Sequence, residues 1–561
     1  MTRLIHFKQN LFPNKYNFTG CILLLIVFSF QCNTKDKNGK SRSIKDFISG
    51  IDYSISAMIQ KEGDRKFDST KTEGFFTQYP KLQEIEPEWK DFYSKRNYAF
   101  AWVDKNGLSP GSLILFNRLN TLHAESVARP IPYIEELDKL YESATNAAEK
   151  EPDAKTLVDA EMMLSAQFFL FAKQMYNALS PDDRKELGWN ISDKKDISYP
   201  AYLQKLMNAS TEDFSANEEV YAQYGLLKNY LAKYKKIAAS GGWDTIANYS
   251  KVLKLKDSSD IVKNIKLRLV KSGDISLTDT TGKYDEKLAT AVRKFRKRHG
   301  LSDTNFVDKY MIAEMNVLVE KRIQQIQVNM ERTKWMPHNP GPNYLFVNIP
   351  DFNLVVFENN KPIFKMPVVV GQAGNKTVIF SDTLTLVAFS PYWNVPYSIY
   401  KNELANKSAA YLRRNGMQRT GKNQIRQLPG PKNSLGKVKF LFPNGYNIYF
   451  HDTPAKYKFQ YNQRAFSHGC IRLSDPKKLA QYVLRKEPEY TEVVIDSLMN
   501  QSKEVQVKLK QPIPVFISYF TAFVDAKTGD LEFRKDIYKH DEQLLDYFSK
   551  KQNGVAIVKK D

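Results

Sequence analysis

At Pro337-His338-Asn339-Pro340 the spacing of apolar residues changes from a helical repeat to strict alternation, dividing the chain into two architectures. Before that point, residues 131–150, 156–180 and 217–238 carry apolar side chains at helical spacing, for example Leu157, Met162, Phe168, Leu170 and Met175. Ser180, ahead of Pro181-Asp182-Asp183, reads as the N-cap of a short helical turn, and residues 316–335 predict a further helix. Beyond the switch, residues 345–349, 353–357, 364–370 and 383–387 read as strands separated by turn residues. A chain of 561 residues exceeds one ordinary core, so three or four domains are expected. The fold class is therefore multi-domain α+β, with a helical scaffold over 81–257, a small module over 258–315 and a mainly β domain over 316–500.

Cys470 is the only cysteine after residue 32, and it lies in Ser467-His468-Gly469-Cys470-Ile471-Arg472-Leu473. Fifteen residues separate His451 from Ser467, which brings a histidine within a hairpin's reach of the thiol. A free thiol is only a few per cent thiolate at neutral pH, so a nucleophilic cysteine needs such a base. Gly469 permits close backbone approach, and the amides around Gly469-Cys470 are candidate oxyanion donors. The alternative is an inert buried cysteine.

This stretch resembles the active-site motif of the YkuD-type L,D-transpeptidases, which cross-link bacterial peptidoglycan: a histidine, a spacer of about fifteen residues, then Ser-His-Gly-Cys. Pro391-Tyr392-Trp393-Asn394-Val395-Pro396 resembles the strand and turn opposite the nucleophile, and Gly430-Pro431-Lys432-Asn433-Ser434-Leu435-Gly436 the lead into the histidine strand. Most of residues 90–540 resembles the large subclass that carries an extra helical scaffold. Many members have asparagine where this chain has Arg472, while the large subclass often has arginine.

The resemblance implies Cys470 as nucleophile and His451 as general base and acid, its other nitrogen held by a backbone carbonyl. It implies substrate contacts at Tyr449, Ser467, His468, Arg472 and Trp393. If residues 446–451 form a strand, Tyr449 shares a face with His451, and Asp452 points away. His468 is expected to shape the loop or touch substrate. Arg472 is open between a bidentate contact with a substrate carboxylate and an ion pair inside the protein. The implied reaction releases D-alanine from a tetrapeptide donor and joins the thioester to a diamino-acid amine as a 3–3 cross-link, with no metal or organic cofactor. Alternatives are an L,D-carboxypeptidase or endopeptidase, a lipoprotein-to-wall transferase of the same fold, and an inert wall-binding lipoprotein.

Residues 401–440 hold ten lysines and arginines against one acid, Glu403, and read as a mobile cationic lid beginning near residue 398. Gly371 to Thr377 lacks the Gly-Lys-[Ser/Thr] pairing of a phosphate loop and reads as a turn. In the 258–315 module, Leu288, Val292 and Phe295 form one helical stripe with cations opposite, and Gly300 ends the helix. Gly282-Lys283-Tyr284-Asp285 and His299-Gly300-Leu301 around it resemble the three-helix peptidoglycan-binding domain; the alternative is that only the fold remains. Residues 501–561 read as an extension whose strands, over 512–524 and 531–533, add to the catalytic sheet.

Arg3, Lys8 and Lys15 precede an apolar run over 21–30 that is too short for a bilayer, which takes about 20 residues, and suits a signal peptide. Cys32 then resembles the lipidated first residue of a mature lipoprotein, although Gln31 is larger than the residue usual there. Plain secretion and an uncleaved anchor are the alternatives; each takes the protein out of the cytoplasm, to a periplasmic, membrane-anchored location in the lipoprotein reading. Residues 33–80 read as a tether with one short helix. A net charge of +21 suits an anionic wall or lipid surface, and no nucleic-acid signature accompanies it.

Overall fold

The computed structural model describes residue 66 and residues 68–552, except 105–106, 126–130, 146–152, 177–178, 192–201, 204–220 and 277–280. The leader, Cys32 and most of the expected tether lie outside the described residues.

The helical half is built around Ala154–Tyr176, whose side chains are buried on every face beyond Ala160 except at Lys173. An all-round buried helix is a central one. Glu86–Lys95, Pro110–Glu125, Ile134–Thr145 and Gln223–Ala239 contribute to the same core. Its deeply buried carboxylate, Glu161, accepts from the amides of Ala101, Trp102 and Val103 at 2.6, 2.8 and 3.1 Å and from Tyr93 Oη at 2.6 Å. Those four donors offset the desolvation that raises its pKa. The expected tether ends too late: Thr72–Gln78 is helical, and Phe75 and Phe76 belong to this core. Ser180 caps Pro181–Glu186 as anticipated, accepting from the Asp183 amide.

Asp260–Ser272, Glu286–Arg298 and Lys309–Met315 form the three-helix module, capped by Ser259, Asp285 and Asp308. Leu288, Val292 and Phe295 fill a separate core with Val262, Ile265 and Met311. The expected cationic face is only partly solvated. Arg293, Lys294 and Lys297 are exposed, but Arg296 and Arg298 turn inward, Arg298 meeting Asp274 at 2.8 Å and Leu531 O at 2.7 Å. A guanidinium can be buried when carbonyls and a carboxylate take its donors.

The β half contains ten strands in one sheet system: β1 (Trp189–Asn190), β2 (Tyr344–Asn348), β3 (Asn353–Glu358), β4 (Lys361–Gly371), β5 (Ile379–Phe389), β6 (Val438–Leu441), β7 (Phe450–His451), β8 (Ala465–Ser467), β9 (Ile471–Leu473) and β10 (Val505–Ser518). Hydrogen-bonded neighbours run β6-β7-β9-β4-β3-β2-β10-β5, and β5 pairs back to β6, so these eight close into a barrel. Alternation fills its interior: Leu345, Val347, Leu354, Val356, Val368, Val370, Phe450, Ile471 and Leu473 are fully buried. β1 comes from the helical half and pairs parallel with β5.

The catalytic domain does not end at residue 500, as the sequence suggests. β10 lies inside the barrel, parallel to β2 and antiparallel to β5. The chain leaves the barrel at Ser518, where Asn348 takes the Phe520 amide on its Oδ1 at 2.8 Å. The hairpin Ala522–Val524 and Leu531–Phe533 therefore does not extend the catalytic sheet; its Ala522, Val524, Leu531 and Phe533 are buried in the helical core.

The expected lid is a folded unit. Trp393–Asn394, Gln424–Gln427 and Met417–Gly421 form a three-stranded sheet, and helical turns from Tyr397 to Arg414 pack Tyr400, Leu404 and Leu412 against Ile425. Its far end stops short of residue 440, because Val438–Leu441 is the barrel strand β6.

Candidate active site

Strands β7 and β9 run parallel, with Phe450 opposite Ile471 and His451 opposite Arg472. Phe450 and Ile471 fill the barrel, so the residues that alternate with them, His451 and Arg472, face outward together. Tyr449 and Cys470 immediately precede the two strands and are tied by the Ile471 amide donating to Tyr449 O at 3.2 Å. Four of the residues expected at the site therefore occupy one small patch. Only Phe450–His451 is strand, however; residues 446–449 are turn and irregular backbone, with Asn447 at φ +56°.

His451 is almost fully buried, and its Nδ1 lies 2.5 Å from Asp452 O. A carbonyl only accepts, so Nδ1 carries the proton and Nε2 presents a lone pair. Burial, followed by the neighbouring Arg472 charge, lowers the imidazole pKa to about 3. The Cys470 sulfur donates to Asn447 O at 3.5 Å, and Tyr449 stands beside it. Burial pushes the thiol pKa up, against the opposing effects of Tyr449 and Arg472. The resting pair is thus a neutral thiol and a neutral imidazole.

The nucleophile turn is held from three sides. Gly469 adopts φ +119°, open to glycine. Ser467 Oγ donates to Cys470 O at 2.6 Å and accepts from the Gly469 amide at 3.1 Å. Thr377 Oγ1 donates to Gly469 O at 2.7 Å and accepts from the Gly371 amide at 2.8 Å. Tyr538 in turn donates to Gly371 O at 2.5 Å and accepts from the Thr377 amide at 3.2 Å. Gly371 must be glycine, since a Cβ there would sit 2.1 Å from Asn375 O. Gly371 to Thr377 is a turn, as expected, and it serves as the brace of the nucleophile.

Two expected roles change. The Gly469 amide is engaged by Ser467, so it is not a free oxyanion donor. Ser467 has both capacities of its hydroxyl used inside the turn, so it shapes the turn instead of meeting substrate. His468 points outward, its Nε2 3.1 Å from Glu403 Oε1 of the lid, with both side chains about half exposed (47% and 51%). Trp393 is half-buried in the lid sheet opposite Gln427 and makes no ring contact or hydrogen bond with the thiol or imidazole. Arg472 stands beside Cys470 without an acid partner among the described residues.

Residues 342–495 match the family model of the L,D-transpeptidase catalytic domain, YkuD, and residues 87–231 match that of a scaffold domain. The chain carries a YkuD L,D-transpeptidase catalytic domain. A Haemophilus influenzae protein named "Putative L,D-transpeptidase" is 28% identical over 244 residues, covering 39% of this chain and 49% of its own length. The chain thus matches about half of that relative. Among solved structures, an L,D-transpeptidase from Stackebrandtia nassauensis is 15% identical, with 49% of this chain and 96% of that one covered at a TM-score of 0.21. One from Mycobacterium smegmatis is 16% identical, covering 32% and 58% at a TM-score of 0.18. At such scores the structural likeness carries no weight. The YkuD domain spans β2 to the helix Glu492–Leu498, so the matched segment omits β10. Thr377 lies within it and Tyr538 beyond it.

Proposed function

We propose that the chain is a peptidoglycan L,D-transpeptidase working through a thioester on Cys470. The observation that carries this is the pairing of β7 with β9, which sets an imidazole with a free Nε2 lone pair on the same outer patch as a partly exposed thiol. His451 Nε2 takes the thiol proton as the sulfur attacks the carbonyl carbon of the donor's third residue. The N–H of Cys470 itself serves as a donor to the resulting oxyanion. Collapse breaks the peptide bond, and His451 returns its proton to the departing D-alanine nitrogen. The acceptor amine then gives a proton to His451 and opens the thioester, regenerating the thiol. The neutral resting pair suits this sequence, because charge develops only as the bond forms.

The lid supports a carboxylate-rich substrate: it carries the excess of cations and reaches the nucleophile turn through Glu403 and His468. In this reading the three-helix module adds a second contact with the wall, and Cys32 is the lipidated anchor of an exported protein. The deciding experiment incubates the full chain with disaccharide tetrapeptide and reads products by mass spectrometry. D-alanine release with dimer formation, abolished in Cys470→Ala and in His451→Ala, is the expected result. Tripeptide without dimer makes the enzyme a carboxypeptidase, and turnover by Cys470→Ala removes the mechanism.

A further inference from the structure

Among the described residues, several deeply buried guanidinium groups have counter-ions. Arg298, Arg322, Arg332 and Arg534 each meet a carboxylate within 2.8 Å. Arg472, beside the nucleophile, has none. Its Nε is buried without a hydrogen-bond partner among the described residues, and the groups acting on its charge are Cys470 and Tyr457, with no acid. A second cation stands next to it: Lys458, half-buried, with its Nζ 5.4 Å from the centre of the Phe466 ring, feels the Arg472 charge and no carboxylate. The nearby acids are occupied, Asp452 by Lys456 at 2.7 Å and Glu504 by the Tyr392 amide at 2.8 Å. Withdrawing a cation from water without a partner is unfavourable, and two adjacent ones repel. An arrangement of this kind is completed by an anion from outside.

The position says which anion. Cys470 immediately precedes the strand that carries Arg472, about 6–7 Å away along the backbone, and the guanidinium and the sulfur act on each other's charge. In a peptide attacked at its last amide bond, the terminal carboxylate lies three bonds from the carbon that meets the sulfur. The planar fork of an arginine binds such a group with two parallel hydrogen bonds.

We propose that Arg472, assisted by Lys458, binds the terminal carboxylate of the departing amino acid, restricting the thiol to the last amide bond of a donor peptide. This rests on the reading of Cys470 as an acyl-transfer nucleophile and adds the determinant of which bond it attacks. A donor extended by one residue moves its carboxylate out of reach; one amidated at its end offers no charge.

The test has two arms on the full chain. In the first, D-alanine release is followed for the tetrapeptide donor, its terminal carboxamide, and a donor amidated only at the diamino-acid side-chain carboxylate. The wild type is expected to show a KM about 10–100-fold higher for the terminal carboxamide, the range of a lost charge-assisted pair. Arg472→Gln is expected to raise KM for the free acid and to erase the acid-to-amide difference, with Lys458→Gln intermediate. In the second arm, iodoacetamide alkylation is read by mass spectrometry at the Cys470 peptide. N-acetyl-D-alanine is expected to protect the wild type, N-acetyl-D-alaninamide to protect less, and Arg472→Gln to lose the distinction. Equal handling of acid and terminal amide by the wild type overturns the proposal, as does a distinction that survives in folded Arg472→Gln. Sensitivity to side-chain amidation alone reassigns the pocket to the other carboxylate and also overturns it. The wild-type comparison needs no variant, so it decides the matter even if Arg472→Gln misfolds. If no stem peptide is turned over, the function proposed above fails while the alkylation arm still decides the subsite.

Discussion

Asp452 supports His451 with its backbone and not with its acid: the carbonyl meets Nδ1 at 2.5 Å, while the carboxylate accepts from the Lys437 amide at 2.8 Å and pairs with Lys456. The carboxylate also lies against Gly436, at φ +64°, where a Cβ would be 2.3 Å from Oδ2. A side-chain acid in a Ser-His-Asp triad is worth about 10⁴-fold in kcat when neutralised. Asp452→Asn is therefore expected to lower kcat less than about tenfold, with its larger effect on the melting temperature. Steady-state rates and thermal melts of the same preparation separate the two.

The His451 environment fixes a pH dependence. Its folded pKa of about 3 lies below the unfolded value of about 6.5, so at acid pH the unfolded chain binds a proton that the folded site refuses. The stability this group contributes is complete above pH 6.5 and is lost as pH falls toward 3. His299 and His540 are depressed in the same direction, so the comparison must isolate one residue. Urea unfolding at pH 7 and 4.5 is expected to show a smaller acid loss in His451→Gln than in the wild type. By the same logic kcat/KM is expected to hold between pH 7 and 5, and alkylation of Cys470 to rise with a midpoint above the usual thiol range.

Thr377→Val removes the hydroxyl that joins Gly371 N to Gly469 O. Leaving a buried amide and carbonyl unsatisfied costs about 1–3 kcal/mol. The expected result is a loss of that order in urea unfolding together with a lower kcat, since the nucleophile turn loses its brace. Thr377→Ser, which restores the hydroxyl, is expected to recover both.

A chain ended at residue 500 keeps Cys470, His451 and the whole matched catalytic segment, yet it lacks β10. That strand supplies the partners of both β2 and β5, so the barrel is expected to be open and the product inactive. A chain ended at 552 is expected to fold. Circular dichroism and alkylation kinetics of the two distinguish them.

The helices and the leading strands are legible in the sequence because each follows from local periodicity, as Leu157 to Met175 and residues 345–357 illustrate. Cys470 and His451 are legible because the parallel pair that unites them is joined by one short connection. What stays hidden depends on partners far along the chain. Thr377 acts on a carbonyl 92 residues away, and Tyr538 on an amide 161 residues away. Neither residue type announces such a role, although Thr377 ends a glycine-bearing turn. Gly469 misleads because its φ permits a close approach whereas its amide is already bonded to Ser467. β10 is obscured because Gln511 stands where the alternation of Val507, Leu509 and Ile513 calls for an apolar residue, Pro512 follows it, and the register shifts between Lys508 and Ile513. The tail hairpin joins a different body from the one expected because alternation tells which side chains are covered and not what covers them.

The late arrival of β10 sets an order of events during biosynthesis. When the ribosome has completed Cys470, the segment that closes the wall behind it, Val505–Ser518, is still to be made. A chain in which that strand is not yet docked holds its sulfur in an unfinished shell, and reactivity begins only once Val505–Ser518 is in place.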